Sequence, residues 1–261
     1  MHIEPGIVDG AKIVLSYATA VAAGGFTLRE TANAVRANGA LPIMGRTLAT
    51  TGLVFTFFQI LPHFPVGVSE VHFILGSTLF LMFGAAPAAL GLALGLLLQG
   101  LLFAPFDLPQ YGMNITTLLV PLFALQMLAK RIIAPDTAYV DLRYSQALAL
   151  STAYQGGVVA WVSFWAFYGQ GFGAANIAAV SSFGAAYMMV VLIEPLADLA
   201  VLAAAKSLRD LTGGRLFERR LHQAALCRRR SNSRPPVRSR SDFAAASTAR
   251  SARGSISTTI M

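Results

Sequence analysis

The sequence predicts an all-α integral membrane protein: a bundle of about seven transmembrane helices, with its N-terminus outside and its C-terminus in the cytoplasm. Three observations lead to this class. Of the 261 residues, 55% are hydrophobic and only 12% are charged, about half the charged share of a soluble domain. The charged residues are separated by long gaps, and the basic ones fall in alternate loops. This composition excludes a disordered chain.

Two of the charge-free gaps have the length of one membrane crossing each. The gap from Arg46 to Glu70 encloses 23 residues, and the gap from Asp107 to Lys130 encloses 22. A helix needs roughly 20 apolar residues to cross a bilayer. Each gap therefore predicts one transmembrane helix.

Two longer gaps must fold back on themselves. The gaps that follow Glu70 and Arg143 hold 36 and 50 residues, too many for one crossing of a core about 30 Å thick. Glycine and proline place the breaks at residues 84–87 and 169–173. An Ala- and Gly-rich stretch supplies the first helix. The predicted crossings are 11–28, 47–64, 71–84, 87–105, 114–133, 144–168 and 176–200.

The distribution of Lys and Arg sets the orientation. Basic residues occupy the first and fifth loops and the segment after the last helix, whereas the second, fourth and sixth loops have none. Lys12 is the exception. Because cytoplasmic loops carry the positive charge, this pattern predicts a multi-pass protein of the cell's inner membrane with the N-terminus outside.

The net charge of +8 is concentrated at the C-terminus. Residues 1–227 carry a net charge of +1 and residues 228–261 carry +7. We therefore divide the chain into a transmembrane domain, 1–227, and a basic tail, 228–261, which we expect to be disordered. A basic tail on a nearly neutral bundle gives no reason to expect nucleic acid as a partner.

The first two residues form a possible metal chelate. Acidic Glu4 and Asp9 stand where a secretory signal would have basic and apolar regions, so we expect the mature chain to begin at Met1. The free amine, the amide nitrogen of His2 and its imidazole could then bind one ion in a plane, which suits Ni(II) or Cu(II). The alternative is that His2 is an arbitrary polar residue in a loose terminus.

The remaining histidines divide between the two sides of the membrane. His63 and His72 are predicted on the outer face with the N-terminus, and His222 on the cytoplasmic side. His72 is predicted to begin the third helix. A histidine at membrane depth is a functional candidate, but each has a structural alternative. His63 could cap a helix between prolines, and His72 could be bonded to Ser69 or Glu70.

Several short motifs, in order, resemble the substrate-specific membrane component of cobalt and nickel energy-coupling-factor transporters, the CbiM/NikM family. Over roughly residues 1–200 these motifs are Met1-His2-Ile3, Val71-His72-Phe73, Gly84-Ala85-Ala86-Pro87, Leu96-Leu97-Leu98-Gln99-Gly100 and Gly112-Met113-Asn114. The opening Ile3-Glu4-Pro5-Gly6 and the Phe73-Ile74 after the histidine depart from the common family pattern. These departures leave the choice of metal open.

The resemblance implies a metal site and a set of partners. Its ligands would be Met1, His2 and His72, and the residues that could support them are Gln99, Asn114, Glu70 and His63. Hydrogen bonding between helices is the alternative role for Gln99 and Asn114. The substrate would be Ni(II) or Co(II), with no cofactor. The partners would be the lipid bilayer, a transmembrane coupling subunit and ATPase subunits, because this chain lacks a phosphate-binding loop.

Two other function classes remain open: an ion-driven secondary metal transporter and a membrane-embedded metalloenzyme. The first would need charged residues at mid-membrane and internal repeats, and the second denser clusters of His, Asp and Glu. We expect a transport component rather than an enzyme. Glu194 and Asp198, four residues apart near the cytoplasmic end of the last helix, are expected either to pair with arginine residues of a partner or of this chain, or to form a solvated helix end.

Overall fold

A computed structural model describes residues 3–135 and 137–207. Seven α-helices form in this part of the chain, as the sequence predicts. They are α1 (Ile13–Asn38), α2 (Ala40–Gln59), α3 (Gly76–Phe83), α4 (Ala85–Leu102), α5 (Tyr111–Ile132), α6 (Tyr144–Gln170) and α7 (Ala174–Ser207). A short antiparallel hairpin, β1 (Phe64–Val66) and β2 (Ser69–Val71), lies between α2 and α3. The predicted tail, 228–261, His222 and the end of the predicted transmembrane domain lie outside the described residues.

Five helical stretches are long and apolar enough to span a membrane. They are Gly10–Asn38, Ala40–Gln59, Ala85–Leu102, Pro105–Ile132 and Ala174–Ser207. Helix α6 is not among these five. It has 27 residues and no charged side chain, but it contains more Gln, Ser and Thr than any of the five stretches does. Large apolar side chains face outward, among them Val21, Leu41 and Leu48, with exposed fractions of 76%, 80% and 72%. Such a surface suits contact with lipid, and the fold is that of an all-α membrane protein.

The third predicted crossing, 71–84, differs from the observed structure. Helix α3 has only eight residues, or about 12 Å of helix, and residues 72–75 before it are not helical. The hairpin takes the start of the predicted helix because Gly67, at φ +63°, makes its turn. A Cβ on Gly67 would lie 2.1 Å from the Ala179 carbonyl oxygen. His72 consequently precedes α3 instead of beginning it.

The predicted loop between the first two crossings is almost absent. Helix α1 continues to Asn38, α2 begins at Ala40, and Gly39 alone separates them with φ +85°. The predicted crossing ends at Leu28 because the apolar stretch ends there. The helix itself continues through the polar residues that follow, to Asn38. The predicted breaks near Gly84 and Gly171 are confirmed, and both glycines have positive φ.

Helix α4 lies at the centre of the bundle and packs closely against α2. A Cβ on Gly91 would lie 2.3 Å from Thr50 Oγ1, and one on Gly95 would lie 2.6 Å from Val54 Cγ1. Thr50 Oγ1 also donates a hydrogen bond of 2.7 Å to the carbonyl of Pro87. Small residues allow this close approach, as is usual between membrane helices. The pairing fixes α4, and with it Gln99, inside the bundle.

Candidate metal site

The described chain begins with a residue that is held firmly in place. Ile3 has no exposed surface and forms an antiparallel bridge with Ser69 of β2. The amide of Glu4 donates to the carbonyl of Val68 at 3.1 Å. The N-terminal segment thus adds to the edge of the hairpin, although terminal residues of most domains are poorly held.

Asn114, in the first turn of α5, fixes the same segment from the other side. Its Oδ1 accepts a hydrogen bond of 2.8 Å from the backbone N–H of Ile3, and its side chain is 1% exposed. The bond links residues 111 positions apart in sequence. Asn114 therefore holds the main chain of the N-terminal segment instead of bridging two helices.

His72 lies in the segment that leads from β2 to α3. It is 1% exposed, and its Nε2 is 2.8 Å from Oε2 of Glu70. This contact with Glu70 is expected for a histidine with a purely structural role. A histidine that binds a metal through one ring nitrogen also commonly contacts a carboxylate through the other. The ring of Phe58 lies against it with the ring centroids 5.0 Å apart.

His63 lies directly beside His72. The two imidazoles are stacked, with centroids 4.8 Å apart and planes inclined by 10°. His63 Nδ1 is 3.2 Å from the carbonyl oxygen of Leu61, within its own loop. The structure thus brings His63, His72 and Glu70 together at the open end of the hairpin, while Ile3 and Asn114 meet beside Ser69, next to its turn.

Gln99 is buried in α4 at 5% exposure, and its Oε1 has no hydrogen-bond partner among the described residues. A buried amide oxygen without a partner is costly. Gln99 stays a candidate supporting residue, and nothing in the described contacts joins it to His72 or Asn114.

Met1 and His2, the two N-terminal ligands predicted from the resemblance, lie outside the described residues. Within residues 3–135 and 137–207 there is no group of three or more His, Cys, Asp or Glu placed to hold a metal ion. Of the three predicted ligand residues, His72 is the one that lies among the described residues.

Two carboxylates give this end of the molecule a negative character. Burial, and to a smaller extent the negative charge of Glu70, raise the pKa of Glu4 above its ordinary value. A pKa raised by a like charge means that the two carboxylates repel each other.

Helix α6 supports the N-terminal segment through a close contact that sequence reasoning missed. A Cβ on Gly169 would lie 1.9 Å from the carbonyl oxygen of Ile7, so only glycine fits there. Lys12 Nζ donates to the carbonyl of Gly169 at 2.6 Å. Lys12, the exception to the charge pattern, thus has a role in fixing this segment. From the sequence, Gly169 is predicted only as part of the break at residues 169–173, and its contact with Ile7 is not predicted.

The sequence matches the family model of the cobalt uptake substrate-specific transmembrane region, CbiM, over residues 2–211. The chain belongs to the CbiM family. Membership makes it a membrane component of metal uptake, and a transport component rather than an enzyme. The CbiM-family fold is also similar to the crystal structure of a truncated transition metal transporter. The TM-score is 0.57 and the identity 16%, over 80% of this chain and 97% of that one. No curated protein matches the sequence.

One of the two expectations for Glu194 and Asp198 in this CbiM-family chain is wrong. They are 0% and 3% exposed, so they do not form a solvated helix end. Among the described residues, they accept hydrogen bonds from the start of α3 and the residues just before it, and pairing with arginine stays a prediction. These donors reach both oxygens of Asp198 and Oε1 of Glu194, whereas Oε2 of Glu194 is buried without a hydrogen-bond partner among the described residues.

Proposed function

We propose that this chain is the substrate-capture component of an energy-coupling-factor ABC importer for divalent nickel or cobalt. It binds the metal at the outer face of the inner membrane through the amine of Met1, the amide nitrogen and imidazole of His2, and the imidazole of His72. The coupling subunit and the ATPase subunits of the same transporter supply the energy. Membership of the CbiM family supports the transport role.

The observation that carries the site proposal is the fixed position of Ile3. Two residues reach at most about 7 Å beyond Ile3. Since Ile3 is bound to both Ser69 and Asn114, the free amine and His2 are confined to their neighbourhood. Ser69 is three residues before His72 in the same extended segment. Chain length therefore permits the N-terminal nitrogens and the His72 imidazole to meet on one ion.

The environment of His72 supports a particular ligand atom. A metal-binding histidine usually donates its other ring N–H to a carboxylate, which orients the ring and raises its basicity. Since Nε2 of His72 contacts Glu70, Nδ1 is the nitrogen that would bind the metal. Together with three nitrogens from the first two residues, it completes a planar set of four, a geometry that favours nickel.

Metal binding and uptake by the purified chain test this function. We expect the chain in lipid nanodiscs to bind Ni(II) or Co(II) more tightly than Zn(II) in a calorimetric titration. In vesicles, uptake should require the coupling and ATPase subunits together with ATP. Uptake by the chain alone, driven by an ion gradient, would show a secondary transporter instead.

Replacing Asn114 by leucine should weaken metal binding. The substitution removes the acceptor for the Ile3 N–H and leaves a buried donor unsatisfied, at a cost of about 1–3 kcal/mol. Loss of a supporting group typically lowers metal affinity by about 10- to 100-fold. Thr117→Val, in the next turn of α5, is the matched control, because the Thr117 hydroxyl donates back to the carbonyl of Met113 in its own helix. Equal affinities for the two variants would exclude this role for Asn114.

Metal affinity should rise with pH. The amine, the amide nitrogen and the imidazoles must lose protons to bind a metal. Glu4 contributes in the same direction, because its raised pKa falls when a cation favours its charged form. Titrations between about pH 6 and 8 should show tighter binding and proton release at each step. An affinity that is independent of pH would contradict a site built from these nitrogens.

A further inference from the structure

Helix α7 holds the segment that carries His72 through two buried carboxylates. Oε1 of Glu194 accepts hydrogen bonds from the backbone N–H groups of Ile74 and Leu75, the second at 3.1 Å. One turn further along α7, the two carboxylate oxygens of Asp198 accept bonds from the hydroxyls of Ser77 and Thr78. These contacts span both sides of the junction between the segment and α3.

The backbone at this junction needs external support. Leu75 has the left-handed conformation, with φ 50° and ψ 34°, which L-residues other than glycine, asparagine and aspartate adopt rarely. Gly76 follows, and a Cβ there would lie 2.3 Å from the ring of Tyr154. Such a conformation persists only where the surroundings determine it, and Glu194 accepts the N–H of Leu75 itself. The path of the chain just after His72 is therefore set by α7.

We propose that Glu194 is a positioning residue for His72. It does so by fixing the main chain two and three residues beyond the imidazole, while Glu70 fixes the ring from the other side. Asp198 fixes the first turn of α3 through its bonds with Ser77 and Thr78. This inference rests on the proposed function, in which His72 is a metal ligand. It also makes α7 the helix whose position is coupled to metal binding.

Two substitutions of Glu194 separate positioning from packing. Glu194→Met keeps the length of the side chain but removes the acceptor, and it should lower nickel affinity by about 10- to 100-fold. Glu194→Gln keeps an acceptor oxygen and should retain most of the affinity. The control is Tyr187→Phe, on the same helix, which removes a buried hydrogen bond to Gln155 Oε1 of 2.8 Å. We expect this control to bind nickel as the unaltered chain does.

The absorption spectrum of the bound nickel gives a readout that packing alone would not change. The ligand-field bands should shift in Glu194→Met, because the imidazole is no longer held in the plane of the other nitrogens, and should be unchanged in Tyr187→Phe. Wild-type affinity and spectrum in Glu194→Met would overturn the positioning role. Normal nickel binding by His72→Ala would instead show that His72 is not a ligand. The two variants therefore distinguish failure of the proposed metal site from failure of the positioning role of Glu194.

Hydrogen exchange in the unaltered chain tests the coupling without depending on how a variant folds. Coupling between two sites is reciprocal, so saturation with nickel should slow amide exchange in residues 190–200 of α7 as well as in residues 72–78. Slower exchange in both regions supports the proposal. Protection confined to the N-terminal segment and residues 69–72 would overturn it.

Discussion

Adding two residues ahead of Met1 is expected to abolish high-affinity nickel and cobalt binding. The extension converts the primary amine into a peptide nitrogen and places the histidine fourth from the terminus, so the two fused rings of the amine, the His2 amide and the imidazole can no longer close. Even supporting groups change metal affinity by about 10- to 100-fold, so loss of a direct ligand should cost more than about 100-fold. His2→Ala removes the imidazole and should have a comparable effect.

The fixed position of Ile3 is what makes this effect large. A loose terminus could rearrange around two extra residues, but here the amide of Ile3 is bound to Asn114 and Ile3 bridges Ser69. The added residues therefore have to project into the space where the metal would lie. The same two residues added after Met261 are the control and should leave the calorimetric affinity unchanged. Unaltered binding by both extended forms would disprove the N-terminal chelate.

Replacing His72 by alanine is the second substitution with a large expected effect. It removes the ligand that comes from the folded bundle and leaves the N-terminal chelate without its fourth nitrogen. We expect affinity to fall by more than about 100-fold, together with a change in the nickel spectrum as water or another donor takes the vacant position.

His63 provides the matched control for His72. His63→Phe keeps a flat ring for the stack against His72 and removes both nitrogens. Because His63 is a supporting residue and not a ligand, affinity should fall by no more than about 10- to 100-fold, less than in His72→Ala. A loss in His63→Phe as large as that in His72→Ala would make His63 a ligand, and the proposed ligand set would then be wrong.

The positions of the helices could be predicted because the membrane constrains them strongly. Charge-free gaps and glycine breaks gave seven helices, and Gly84 and Gly171 interrupt the chain close to the predicted breaks. The exception, α3, fails for a local reason. The apolar stretch that begins at Val71 predicts a helix there, but Gly67 makes a turn and the pairing with Phe64–Val66 makes Ser69–Val71 a strand.

In the candidate site, the sequence predicts some of the residues but not the contacts between them. Motif resemblance singled out His72 and Asn114, but not the bond from Asn114 to Ile3, because nothing local in the sequence relates residues 111 positions apart. A charge at the end of an apolar stretch predicts a solvated helix end, and for Glu194 this prediction is wrong. Its donors are backbone groups about 120 positions away, and a backbone N–H leaves no signature in the sequence.

X-ray absorption at the nickel edge, on the purified chain with its native N-terminus, tests the proposed site most directly. We expect four nitrogen donors in a square plane, with scattering from two imidazoles, and only one imidazole in His72→Ala. A six-coordinate ion bound mainly by oxygen, with a spectrum that His72→Ala leaves unchanged, would contradict the site proposed here.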